Sequence, residues 1–191
     1  MTRPPWGLRG ASTGTTTRWD NAVGAAPAMD YPSLLQNDRK SLTYTSAVLS
    51  EDLEVVGHPV VRLWVDVEGE DADFVVVLEE VDANGKVHYV TEGVIRATHR
   101  RLGEAPWNNQ GLPFQRGFAA DRQPLPESGP VELVFDLLPT ANLFDVGNRV
   151  RVAVFCADAD NLEPADFELG TIGVHCGGGA ASGLQLPILV R

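Results

Sequence analysis

Cysteine is scarce in this chain. Cys156 and Cys176 are the only two among 191 residues, too few for a disulfide framework. Each sits in an apolar stretch that reads as strand. Two reduced core thiols are therefore expected, with one cross-strand disulfide as the alternative. Positive charge is also in short supply: 15 Lys and Arg stand against 26 Asp and Glu, giving a net charge of −11. That balance excludes an electrostatic grip on nucleic acid or anionic lipid, so neither a nucleic acid nor a membrane is expected as a partner. Long apolar runs are missing, and no stretch approaches transmembrane length. Residues 1–10 hold Arg3 and Arg9 without an apolar core. They do not read as a signal peptide, and a cytoplasmic location is the expectation. Helical periodicity is missing too. A parallel α/β fold needs crossovers of a dozen or more residues, and none can be placed.

What is present is strand. Hydrophobic residues make up 43%, a normal globular share, and the length suits one domain with a proper core. Residues 59–68 alternate, with Val61, Leu63, Val65 and Val67 on one face and Arg62, Trp64 and Asp66 on the other. Residues 74–81 form a valine-rich second strand. Asp82-Ala83-Asn84-Gly85 then supplies an Asn-Gly hairpin signal, and residues 86–99 return as a third strand, with Gly93 as a candidate bulge. Further strands are expected at 131–138, 149–157, 170–176 and 184–190, where Pro187 points to an edge or strand end. Arg62, Arg149 and Arg151 are expected to pair with carboxylates. The total of about eight strands suits an all-β, double-sheet sandwich of two antiparallel sheets with Greek-key connections.

Two segments stand outside this pattern. Residues 1–40 carry Pro4, Pro5, Pro27 and Pro32 and no sustained period. They read as a linker or wrapping arm, with a short helical turn within 30–40. Residues 41–191 are then the sandwich domain. The stretch 100–130 is long and proline-rich, yet holds Trp107, Phe114 and Phe118. Loops of that length are usually functional or docked, so these three aromatics are the candidates for an interdomain contact. Covering an open end of the sandwich is the alternative.

Candidate chemistry is thin. Gly10-Ala11-Ser12-Thr13-Gly14 satisfies G-x-S-x-G, but that motif needs a strand before the serine and a helix after it. Residues 4–9 are no strand, and Thr15-Thr16-Thr17 are poor helix formers, so Ser12 is not expected to be a nucleophile and no catalytic residue is assigned. His58, His88, His99 and His175 are scattered without metal-ligand spacing, and structural roles are expected for them. His88 and His99 share a predicted strand but should point to opposite faces. Asp158-Ala159-Asp160-Asn161, and more weakly Asp71 and Asp73, offer oxygen ligands. The turn glycine and distal glutamate of a calcium loop are missing, so solvated turn acids are expected, with no metal and no cofactor. Gly177-Gly178-Gly179 lacks the Lys-Ser/Thr of a phosphate loop and reads as a flexible hairpin connection.

A series of segments nevertheless resembles one family. These are Asp38-Arg39-Lys40-Ser41-Leu42-Thr43-Tyr44-Thr45-Ser46, Leu53-Glu54-Val55-Val56-Gly57-His58-Pro59, Asp71-Ala72-Asp73-Phe74, and Tyr89-Val90-Thr91-Glu92-Gly93 with Arg96. Leu137-Leu138-Pro139-Thr140-Ala141-Asn142-Leu143-Phe144, Gly147-Asn148-Arg149-Val150-Arg151-Val152, Asp158-Ala159-Asp160-Asn161 and Leu186-Pro187-Ile188-Leu189-Val190 continue it. Together they are similar to the C-terminal domain of the Xaa-Pro dipeptidyl-peptidase and cocaine esterase (CocE/NonD) family of serine hydrolases. Asn148 stands where histidine would be expected. The resemblance implies a jelly-roll, galactose-binding-like sandwich packed on an α/β-hydrolase domain, supplied in cis or in trans. It also implies that the parent enzyme cleaves esters, amides or Xaa-Pro dipeptides. In the family the triad precedes the jelly roll, so it maps onto no residue here. The expected role is a non-catalytic domain that walls the hydrolase cleft and supports homo-oligomers. The alternative is a free-standing carbohydrate- or ligand-binding module.

Overall fold

The computed structural model describes residues 34–158, 162, 167 and 170–190. Ser12, with the first 33 residues of the expected arm, lies outside the described residues, as do Ala159, Asp160 and Asn161 of the candidate calcium loop. The fold is all-β and antiparallel, the class indicated by the sequence. The single α-helix among the described residues, α1 (Leu34–Asp38), falls within the helical turn expected at 30–40.

Strand follows strand in chain order: β1 (Leu42–Thr45), β2 (Leu53–Gly57), β3 (Val60–Val67), β4 (Asp73–Val81), β5 (Val87–Arg96) and β6 (Val131–Asp136). After these come β7 (Thr140–Phe144), β8 (Arg149–Phe155), β9 (Ile172–Val174), β10 (Cys176–Gly177), β11 (Ala180–Ala181) and β12 (Gly183–Gln185). One four-stranded sheet runs β1-β8-β4-β5; another runs β12-β3-β6, with β9 also on β3. Two short ladders, β2-β7 and β10-β11, complete the set among the described residues.

These residues divide into two compact units. In the first, comprising 34–53, 75–92, 143–158 and 162, antiparallel pairing sets Val75 opposite Phe155, Val77 opposite Ala153 and Glu79 opposite Arg151. β4 departs from simple alternation, because Phe74 through Glu79 are all buried. An unbroken valine run has no wet face to offer and belongs to a central strand covered on both sides. The turn after β4 forms as its sequence dictates. Asp82 Oδ1 accepts the backbone N–H of Asn84 at 2.8 Å and of Lys86 at 2.9 Å. Gly85 takes φ = 81°, which a side chain would oppose. The amide of Lys86 above all holds the Asp82 carboxyl below its ordinary range.

In the second unit, comprising 54–74, 93–142, 167 and 170–190, the alternation of β3 is realised as read. Val61, Leu63 and Val65 are buried opposite Phe135, Leu133 and Val131 of β6. Each such side chain contributes roughly 1.5–3 kcal/mol by leaving water. The outward residues carry ion pairs instead, Arg62 with Glu132 among them.

Three expectations change, and a fourth residue gains a physical reason. β5 stops at Arg96, and Ala97–His99 form a 3-10 turn, so His88 and His99 do not share a strand. The cause is local: Ala97 N–H bonds the Ala72 carbonyl at 2.8 Å, and Asp71 Oδ1 takes the Thr98 N–H at 3.0 Å. Those bonds turn the chain away from the ladder. Gly93 is required by close approach, since a Cβ there would sit 2.6 Å from the Asp136 carbonyl. Neither cysteine forms a disulfide, and Cys176, on the β10-β11 hairpin, is exposed rather than in a core. Arg149 donates to the Ser46 carbonyl at 2.9 Å, not to a carboxylate.

Candidate functional site

The loop between the 3-10 turn and β6 lies within the second unit and is pinned at several points. Arg100 Nη1 donates to the Gln123 carbonyl at 2.6 Å and its Nη2 to the Pro124 carbonyl at 3.0 Å. Gln123 N–H bonds the Thr98 carbonyl at 2.8 Å. Gln115 Nε2 reaches across to the Val134 carbonyl of β6 at 2.7 Å, and Gly103 N–H bonds the Phe114 carbonyl at 2.8 Å. A backbone satisfied at this many points is held in one course. The stretch is a shaped surface element.

The three aromatics respond differently to that frame. Phe114 is half-buried, and Trp107 meets it edge-on, ring centroids 5.2 Å apart at 76°. Trp107 is nevertheless 61% exposed and Phe118 is 65% exposed. Arg116 holds its guanidinium 5.8 Å over the Phe118 ring while also pairing with Asp121. That hydrogen bond, ahead of any burial effect, keeps the Asp121 carboxyl below its usual range. Sequence reading placed all three on one loop, and the structure brings Trp107 and Phe114 together. Phe118 instead stands beside an arginine. Between loop and sheet runs a groove of about 440 Å³, lined among others by His58, Leu102, Leu112, Phe114 and Pro187.

Each of three histidines has a carboxylate partner that spacing did not reveal. His58 Nδ1 lies 2.8 Å from Asp136 Oδ2, His175 Nε2 lies 2.5 Å from Asp66 Oδ2, and His88 Nε2 lies 3.3 Å from Asp82 Oδ2. The partners are 78, 109 and 6 residues away in sequence, so only the closest pair leaves a local signal.

The acids once considered for calcium also find partners. Asp71 is buried, not solvated as expected, because the Thr98 hydroxyl and two backbone N–H groups donate to it. Asp73 receives the Arg96 guanidinium through two bonds of 2.7 and 2.8 Å. Both carboxylates have work within the fold, which leaves the segment Asp71-Ala72-Asp73-Phe74 as an internal brace. Among the described residues no group of three or more His, Cys, Asp and Glu is placed to hold a metal ion. No helix among them is long and apolar enough to cross a membrane.

Comparison with known proteins decides what kind of domain carries this loop. The family model for the X-Pro dipeptidyl-peptidase C-terminal non-catalytic domain matches residues 6–168. The chain belongs to that family. A Mycobacterium bovis protein named as a serine esterase is 41% identical over 180 residues, covering 94% of this chain and 29% of its own length. Cocaine esterase from a Rhodococcus species is 28% identical over 134 residues, 70% of this chain and 20% of that protein. The chain therefore spans under a third of the curated relatives it matches. A CocE/NonD family hydrolase from Staphylococcus aureus shares the fold with a TM-score of 0.67 at 20% identity, over 81% of this chain and 31% of its own. An α-amino acid ester hydrolase does so at 0.62 and 22%, over 78% and 25%. This X-Pro dipeptidyl-peptidase C-terminal domain thus keeps its family's fold while its charged pairs serve structure.

Proposed function

We propose that the chain serves as the C-terminal domain of a CocE/NonD-type serine hydrolase. In this reading the domain is a jelly-roll, galactose-binding-like sandwich over residues 41–191, entered through a linker or arm at 1–40. It packs on an α/β-hydrolase domain, in cis or in trans, and helps wall that domain's cleft. The parent enzyme hydrolyses esters, amides or Xaa-Pro dipeptides. Trp107, Phe114 and Phe118 provide the contact.

The observation that carries this reading is the exposure of Trp107 and Phe118 on a loop whose backbone is otherwise pinned. Large aromatics held rigidly in water are costly to a monomer and lose little entropy on binding. The test is titration of the purified chain with the remaining portion of the Mycobacterium bovis relative, followed by calorimetry. Binding that weakens by roughly tenfold or more in the double variant Trp107→Ala, Phe118→Ala is expected, since buried aromatic anchors dominate interfaces. Unchanged binding by the variant would remove this loop from the interface.

A further inference from the structure

Within the first unit, α1 is fixed to the face of the β1-β8-β4-β5 sheet at two points. Leu34 fills an apolar cluster with Val81, Val87 and Tyr89. At the other end of the helix, buried Asp38 lies beside Glu79 of β4 and Arg151 of β8, which are register partners. Arg151 Nη1 donates to Asp38 Oδ2 at 2.8 Å, and its Nε donates to Thr45 Oγ1 of β1 at 2.9 Å.

The charges at this second point do not balance. Among the described residues, two carboxyl groups meet one guanidinium here, and Glu79 is fully buried. Asp38 Oδ1 and both Glu79 oxygens lie buried without an N–H or hydroxyl donor. Among the described residues, no other ionisable group on this face donates to these oxygens. On β8, Arg149 is turned to the Ser46 carbonyl, and on β5 the group is the Tyr89 phenol, packed with the apolar cluster. Arg39 and Lys40, which follow the helix, are exposed to water. Two adjacent buried carboxylates repel and are poorly solvated, whereas one proton between them removes a charge and supplies the missing donor.

We propose that α1 is a proton-dependent latch: Asp38 and Glu79 share one proton, and losing it to solvent base releases the helix from the sheet. Burial, and next the Asp38 charge, pushes the Glu79 carboxyl up to about 8 from its ordinary 4.5, and burial also raises Asp38. The docked state therefore holds a proton between pH 4.5 and about 8 that the undocked chain has released. By linkage the docked state weakens as pH rises through that window and changes no further above it.

Hydrogen exchange of the full chain, read by mass spectrometry and corrected for intrinsic rates, tests the latch. The reporting amides are Lys40 and Ser41, which bond the Asn37 and Asp38 carbonyls at 2.7 and 3.1 Å. Their protection should fall by up to about tenfold per pH unit between pH 6 and 8. Peptides covering β3 should not share that slope, and Glu79→Gln should abolish it. Asp38→Asn, which leaves one carboxylate for one guanidinium, should flatten it as well and serves if the first variant does not fold. A wild-type profile independent of pH, a slope common to the whole chain, or a slope that survives both substitutions would overturn the latch.

Discussion

Gly93 and Asp71 show how single residues in this chain answer to neighbours far away in sequence. Gly93 faces β6, where an added Cβ would lie 2.6 Å from the Asp136 carbonyl and 2.8 Å from Leu137 Cδ2. Backbone cannot give way as a flexible side chain does. Gly93→Ala is therefore expected to cost roughly 1–3 kcal/mol, the usual range for overpacking, visible as a lower urea midpoint with an unchanged slope. A wild-type midpoint would show that the strands separate freely. The glycine itself was conspicuous in the sequence, but its reason was not. The constraint comes from residues 136 and 137, which no local pattern connects to position 93. The same holds for Glu79, a carboxyl inside the valine-rich run of residues 74–81. Only the fold reveals that it is fully buried, beside Asp38 of α1.

At the scale of elements, local signal and legibility run together. The β4-β5 hairpin was readable because Asp82, Asn84 and Gly85 carry its turn within five residues. β3 and β6 were readable because apolar residues alternate along them. β1, β2 and β7 were far less distinct. β1 is exposed along its whole length, and no buried face imposes a period on Leu42–Thr45. β2 and β7 are five residues each and pair mainly with one another.

The brace between the start of β4 and the 3-10 turn was legible only as a family resemblance in Asp71-Ala72-Asp73-Phe74. Its physical content is that Asp71 accepts from Ala72 N–H at 2.9 Å, Thr98 N–H at 3.0 Å and the Thr98 hydroxyl at 2.5 Å. Asp71→Ala would strand those donors in a buried place. A loss of roughly 2 kcal/mol or more is expected, together with faster exchange of the Thr98 and Gln123 amides. If stability and exchange both stay at wild-type levels, the brace carries no load.

For the molecule as a whole, composition narrowed the expectations more than it assigned a role. Negative net charge and the lack of long apolar runs gave no expectation of a nucleic-acid partner or a membrane-spanning helix, and missing helical period gave none of a parallel fold. The candidate contact residues were visible because Trp107, Phe114 and Phe118 are out of place in a loop. Their unequal exposure, and the edge-on pairing of Trp107 with Phe114, depend on anchors in β6 and the 3-10 turn. The family match over residues 6–168 and the resemblance of separate segments converge on one domain type. In that domain the histidine–carboxylate pairs, the buried acids and the arginines hold strands and turns together.

The most direct test of this account is labelling of the purified chain with a fluorophosphonate probe, read by intact mass. A serine activated by a triad forms a stable adduct, while an ordinary hydroxyl does not. No adduct is expected on this chain. An adduct mapping to Ser12 would contradict it, because the chain would then contain a working nucleophile of its own.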